Sequence, residues 1–408
     1  LPVLFWIHGG AWSSGSGGWP WYDGARLAAE QNIVVVTINY RLGPFGYLHL
    51  PQWDPAVGNL GYQDQTVALQ WVAQEITSFG GDPQRITVAG QSAGAHSAAL
   101  LASGATTAPL IRRLILQSGP LRWPLQAIDQ AAASGHQLLR ELGFEMSSAD
   151  ELRGVEAQEL AYGSSAVARR GKQFAKIVPP FQPVATEMLP WLSPLDALER
   201  GANPNLDIVV GATSQELRAF FDVDLDVMNA DRSTAIRELD QQSIDGADTY
   251  TQYERQFMGA PATPGQILTQ VLGDLQFREP AWALALQREK QSRPTYVYEF
   301  DWRKGPFGSC HCIELPFFFG TEEAFASAPM LQGIGAEFDS VSRSFRDSLG
   351  RFVRTGEPGW SPFTESAPRV MRFSTSQPAV DPVAELLSQR RLLDPARTPY
   401  SLDRPTTG

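Results

Sequence analysis

The stretch from Ile86 to Leu101 constrains this chain most. An apolar run, Ile86–Ala89, leads into Gly90-Gln91-Ser92-Ala93-Gly94, and an apparent helix, Ala95–Leu101, follows. A strand that becomes a helix within one pentapeptide needs glycine where backbone segments come close. So sharp a turn lifts Ser92 to the C-terminal end of a sheet. The helix N-terminus behind it favours developing negative charge. The pentapeptide alone also fits a turn without chemistry; the strand before it and the helix after it favour a presented nucleophile.

The surrounding pattern supplies the sheet. Val3–Ile7, Ile33–Asn39, Ile86–Ala89 and Leu114–Gln117 read as short buried strands. Their apolar runs are too continuous for half-exposed hairpins and fit a parallel sheet covered on both faces. Gln63–Phe79 carries Val67, Leu69, Trp71, Val72 and Ile76 at helical spacing and stops at Gly80-Gly81-Asp82-Pro83. Strand–helix–strand units imply right-handed crossovers and an α/β fold. Beyond Gly119, Ala127–Leu142 and Ser148–Tyr162 read as helices, Asp207–Val210 as a strand, and Thr213 to Arg293 as mostly helical. Thr295–Phe300 is a strand, Gly333–Arg354 a late helix and Arg369–Phe373 a final strand. The expectation is one domain over residues 1–408, with helical insertions around 120–205 and 217–293. The stretch from Asp394, with Pro395, Pro399 and Pro405, is expected to be loosely held. The chain opens at Leu1 inside a strand, with no initiator Met and no leader pattern, so it reads as a trimmed or partial sequence.

Composition removes several function classes. Lys plus Arg number 33 and Asp plus Glu 44, a net charge of −11, which leaves no basic surface for nucleic acid. Hydrophobic residues at 43% allow a large core. The two cysteines, Cys310 and Cys312, are too close in sequence to bridge each other readily. Without a second Cys/His group at ligand spacing they predict no metal site. The glycines of Gly15–Gly18 lack both the P-loop Lys and dinucleotide spacing. No apolar run is long enough to span a membrane.

A serine nucleophile needs a base, and the chain has 5 histidines. His96 shares the helix of Ser92, His136 lies in an insertion helix, and His49 sits in a loop or strand extension after Tyr40–Pro44. His8 belongs to a glycine turn. His311, in the loop-like segment after Thr295–Phe300, remains. α/β hydrolases run in the order Ser, acid, His, with His on a late loop. The acid is expected after Asp207–Val210. Glu216 qualifies, with Asp222, Asp224 and Asp226 as rivals. His8-Gly9-Gly10-Ala11-Trp12 follows the first strand, where small residues can aim backbone N–H groups at a substrate oxygen. Gly10, Ala11 and Ala93 are therefore the expected oxyanion donors. Trp12, Gln91, Trp123, Phe317 and Phe318 are candidates for the substrate pocket.

These pieces lie in one family's order over nearly the whole chain. They are Trp6–Ala11, Asn39–Gly46, Asn59–Gln65, Phe79–Pro83, Gly90–Gly94, Gln117–Gly119, His311–Phe317 and Thr355–Pro358. The sequence resembles the type-B carboxylesterases, the family shared with cholinesterases. The resemblance implies an α/β-hydrolase fold, with a mostly parallel sheet flanked by helices and helical cap insertions. It implies a triad of Ser92, Glu216 and His311, so Glu216 is preferred over the aspartates. It implies a small-molecule ester as substrate, no cofactor and no metal. It also implies additional strands ahead of the first one here. Three positions depart from the family pattern: Gln91 stands where Glu is usual, Leu217 where Gly is frequent, and Ala11 at the third position of the glycine loop. Gln91 removes a negative charge beside the nucleophile, which disfavours cationic choline esters. A non-catalytic binding module of the same fold, and an amidase or carbamate hydrolase, are the alternatives.

Overall fold

The computed structural model describes residues 1–53, 58–143, 149–200, 203, 205–242, 244–257 and 262–374, and the backbone of Ala379–Pro382. Its spine is an 8-stranded sheet. The strands are β1 (Val3–Ile7), β2 (Val34–Thr37), β3 (Ile86–Gln91), β4 (Arg113–Gln117), β5 (Asp207–Thr213), β6 (Thr295–Asp301), β7 (Arg369–Ser374) and β8 (Ala379–Pro382). The order is β2-β1-β3-β4-β5-β6-β7-β8; every neighbouring pair is parallel except β7 and β8, which are antiparallel. This is the α/β-hydrolase sheet expected from the sequence, with the antiparallel β8 added.

The continuous apolar runs are explained by two covered faces. Val3, Phe5, Ile7, Val88, Leu114, Leu116, Ile208 and Val210 point into one core, with α1 (Leu60–Glu75) and α2 (Ala93–Ser103) packed there. Leu4, Trp6, Ala89, Ile115, Val209, Tyr298 and Phe300 point into the other, an aromatic-rich layer under α3 (Glu314–Phe319) and α4 (Glu337–Thr355). Alternate residues on opposite faces are what a strand requires. β2 differs from the expectation: its residues are only half-buried, because it lies at the sheet edge among the described residues.

Helical segments fill the chain between β4 and β5 and between β5 and β6. The second has its own apolar cluster, including Leu217, Phe221, Ile267, Val271 and Phe277. One expected helix is divided: helices form at Ala149–Arg153 and Ala157–Arg170, with a turn at Gly154 and Val155 between them. Ser148, the expected first residue of that helix, and the stretch from Asp394 lie outside the described residues.

Parallel strands place all their carboxyl ends on one edge of the sheet, where ligands of open α/β folds bind. The segments leaving β1, β3, β5 and β6 carry His8–Ala11, Ser92, Glu216 and His311 in turn. Ile7 pairs with Gly90, and Thr213 with Phe300, so these exits lie side by side.

Candidate active site

Ser92 sits at φ 58°, ψ −126°, a backbone conformation that a non-glycine residue adopts only when its surroundings impose it. Those surroundings are specific. The Ser92 N–H donates to Gln117 O at 2.9 Å. A Cβ on Gly90 would lie 2.4 Å from the Gly94 carbonyl carbon, and one on Gly94 would lie 2.1 Å from Ile7 O. Both flanking positions therefore exclude any side chain, and the turn is as tight as the pentapeptide implied.

The glycine turn after β1 packs directly onto it. A Cβ on Gly9 would meet Gln91 O at 2.8 Å and Ser92 Cβ at 3.1 Å. Gly10 takes φ 113° and Ala11 φ 52°. Among the described residues, the N–H groups of Gly10 and Ala11 have no intramolecular hydrogen-bond partner. Ala93 is the first residue of α2, so its N–H has no acceptor within the helix.

On the opposite side, His311 is held twice by one residue. Its backbone N–H donates to Glu216 O at 3.0 Å, and its ring Nδ1 lies 2.5 Å from Glu216 Oε2. Glu216 Oε1 accepts the Thr213 N–H at 2.8 Å. Both side chains are buried. Burial alone would lower the His311 pKa; the Cys312 sulfur and the Glu216 carboxylate outweigh it and hold it well above the ordinary value. Two of the rival aspartates have their carboxylates paired elsewhere. Asp222 pairs with Arg218 at 2.8 Å and Asp224 with Lys172 at 2.9 Å, while Asp226 donates its N–H to the Asp224 carboxylate.

Two of the other histidines are enclosed elsewhere. His8 is buried, bonds Gly9 O through Nδ1 at 2.8 Å and stacks on Tyr40; burial holds its pKa down. His96 is buried against Trp12, and burial pushes its pKa down to about 3.

The pocket assignments need correction. Trp12 is 0% exposed: its indole N–H donates to Ser97 Oγ, and its ring meets His96 edge-on. Phe317 and Phe318 are also 0% exposed, because α3 is buried whole between the sheet and α4. Phe317 packs on Phe300, Trp302 and Phe338, and Phe318 on Trp6 and Phe319. Gln91 is 1% exposed, and its amide touches His311 and Cys312. Trp123 is half-buried at the edge of the first core. The rings that flank His311 are Phe220, centroid 5.5 Å away and half-exposed, and Phe277, 5.0 Å away and buried.

One ionisable neighbour escaped the sequence reading. Glu314 is fully buried; its Oε1 accepts the Ser118 hydroxyl at 3.0 Å, and its Oε2 has no partner among the described residues. Burial, and then the charge of Glu216, push its pKa up to about 7. A single carboxylate inside the apolar run Ile313–Phe317 was the available signal. Among the described residues, no group of three or more His, Cys, Asp or Glu is arranged to hold a metal ion. No described helix is long and apolar enough to cross a membrane.

Comparison with known proteins agrees with this architecture. The carboxylesterase family model matches residues 1–389. A para-nitrobenzyl esterase of Bacillus subtilis is 34% identical over 88% of this chain and 71% of its own length. A phenmedipham hydrolase of Pseudarthrobacter oxydans is 32% identical over 91% of this chain and 75% of its own. Among solved structures, a thermophilic PNB esterase superposes with a TM-score of 0.81 at 31% identity, covering 96% of this chain and 80% of the other. A carboxylesterase of Geobacillus stearothermophilus gives a TM-score of 0.83 at 30% identity, covering 95% and 81%. The chain belongs to the carboxylesterase family, and its activity is that of a serine carboxylic-ester hydrolase.

Proposed function

We propose that Ser92, His311 and Glu216 form the catalytic triad, with the N–H groups of Gly10, Ala11 and Ala93 as the oxyanion hole. The observation that carries this reading is the Glu216–His311 contact at the sheet edge that also holds the strained Ser92 turn. His311 takes the Ser92 Oγ proton as the oxygen attacks the ester carbonyl. Glu216 keeps the proton of the resting ring on Nδ1 and balances the charge once the ring is cationic. The N–H groups receive the oxyanion; removing one donor of this kind typically costs about 2.7–4 kcal/mol of barrier. His311 then protonates the leaving alcohol, and water attacks the acyl-enzyme by the same route reversed.

The substrates we infer are small to medium uncharged esters with bulky or aromatic parts. Phe220 and Phe277 beside His311 support an apolar acyl or alcohol group, and the neutral Gln91 supports an uncharged one. The helical segments around 120–205 and 217–293 are read as insertions of one hydrolase domain. A panel of p-nitrophenyl esters, anilides and carbamates, run with wild type and Ser92→Ala, tests the reading. Esters turned over by the wild type only are the expected result; activity that persists in Ser92→Ala overturns it. Gln91→Glu is expected to raise choline-ester turnover relative to neutral esters.

A further inference from the structure

One buried polar side chain in contact with His311 has no task in the mechanism above. Gln91 is the last residue of β3 and directly precedes Ser92. Its amide Nε2 lies 3.2 Å from His311 Nε2, and its Oε1 accepts the Cys312 thiol at 3.4 Å. Cys312 has a left-handed backbone, φ 71°, and its sulfur also lies within hydrogen-bond reach of the His311 ring.

Proton positions follow from the partners. An ionised carboxylate only accepts, so Glu216 at 2.5 Å requires the proton of the neutral ring on Nδ1. His311 Nε2 is then a bare lone pair, and the amide atom facing it must be the NH₂ group. The Gln91 carbonyl is left facing Cys312, which has an S–H to give. Turned over, the amide would set two acceptors against each other at His311. The contacts Glu216–His311–Gln91–Cys312 therefore agree on one direction of donation.

We propose that Gln91 is a positioning residue that selects the neutral, Nδ1-protonated form of His311, and that Cys312 fixes the orientation of the Gln91 amide. This rests on His311 being the base. An N–H aimed at Nε2 stabilises the lone pair there and repels the N–H that an imidazolium would carry. Gln91 thus opposes charging of the ring in the free enzyme. The ionisable groups around the ring, Glu216 after β5, Cys312 beside it and Glu314 on α3, act in the other direction. Nε2 has a single lone pair, so the Ser92 hydroxyl takes the place of the amide when ester binds. The proton then passes from Oγ to Nε2 while Oγ bonds to the carbonyl carbon.

The profile of kcat/KM against pH reports the free enzyme, where the Gln91 contact exists. With a neutral p-nitrophenyl ester, Gln91→Met is expected to move the acid limb up by about one pH unit, and Gln91→Glu further. Cys312→Ala should move it part of the way, and Cys312→Ser, which keeps a donor to Oε1, should leave it near wild type. An acid limb unmoved or lowered in Gln91→Met overturns the proposal. Imidazole ¹⁵N shifts of the wild-type protein at pH above the limb test it without any variant: a protonated Nδ1 supports it, and a protonated Nε2 overturns it. A fluorophosphonate probe separates the role of Gln91 from the triad itself. Labelling of Ser92 in every folded variant upholds the triad whatever the limb does, and no labelling in the wild type removes the basis of both.

Discussion

His311 takes both its ring orientation and its backbone position from Glu216: the carboxylate is 2.5 Å from Nδ1, and the Glu216 carbonyl accepts the His311 N–H at 3.0 Å. The residue whose carboxylate meets the proposed base also anchors, through its main chain, the loop that carries it. Loss of the carboxylate alone leaves the main-chain bond in place, so Glu216→Gln isolates electrostatics from loop position. The base must be neutral to accept a proton. A pKa held above its ordinary value means that neutral base is lost early as pH falls, so the acid limb of kcat/KM should lie above about 6.5. In Glu216→Gln the limb should move to lower pH while kcat drops by about 10⁴-fold, as expected when the orienting carboxylate of a triad is removed. A limb that stays in place would exclude Glu216 as the source of the raised value.

Glu314 gives a stability signature with the opposite use of a carboxylate. Its pKa is raised to about 7 in the folded protein, by burial and by the neighbouring Glu216 charge. In the unfolded chain it ionises near its ordinary value of about 4.3. Between these values the unfolded chain has released a proton that the folded one keeps, so this group makes stability fall as pH rises through the window. Below the window it contributes nothing, and above it the loss is constant. Glu314→Gln removes the titration. Its urea midpoint relative to wild type should therefore climb from pH 5 to pH 7 and then level off. A difference that is flat across that range would show that the folded carboxyl is not raised.

The backbone of the site was legible because each part has a local cause. Continuous apolar runs mark strands covered on both faces, as Val3–Ile7 and Arg113–Gln117 are. Glycines at 90 and 94 mark backbone contacts too close for a Cβ. With few histidines and one chain order to satisfy, His311 and Glu216 could be paired on paper, and the structure brings them together. The pocket had no such local cause. An aromatic residue looks the same in sequence whether it fills a core, as Phe317 and Phe318 do, or flanks His311, as Phe220 and Phe277 do. Which of these happens is decided by tertiary packing: α3 lies between the sheet and α4, whereas Phe220 and Phe277 come from the helices between β5 and β6. The antiparallel β8 was not read from the sequence; it is placed by its pairing with β7.

The Ser92 turn predicts a severe and asymmetric response to a single methyl group. Gly80 has nothing within 4 Å of its missing Cβ, whereas a methyl on Gly94 would lie 2.1 Å from Ile7 O. Gly94→Ala must push α2 off the end of β1 and should abolish soluble folded protein or activity. Gly80→Ala, at φ 78°, is strained by its backbone alone and should cost about 1–2 kcal/mol with kcat unchanged. Chemical denaturation and a p-nitrophenyl ester assay on the pair decide it. A folded, fully active Gly94→Ala would mean that the turn is looser than its contacts imply.

Phe220 and Phe277 flank the same ring but are held in different ways, so their truncation should separate binding from stability. Phe277 is 4% exposed and belongs to the apolar cluster of the helices between β5 and β6. Phe277→Ala should destabilise the protein by about 3–5 kcal/mol, the usual range for a buried Phe. Phe220 is 38% exposed, so its truncation removes little buried area, and its stability cost should be under about 1 kcal/mol. Its ring nonetheless lies 5.5 Å from His311, where an apolar group of a bound ester would meet it. Phe220→Ala should raise KM for a p-nitrophenyl ester with a long or aromatic acyl chain by about tenfold, the value of roughly 1.4 kcal/mol of lost apolar contact. The acetate, too short to reach the ring, should keep its KM. Equal changes for both esters would mean that Phe220 shapes His311 itself rather than the pocket beside it.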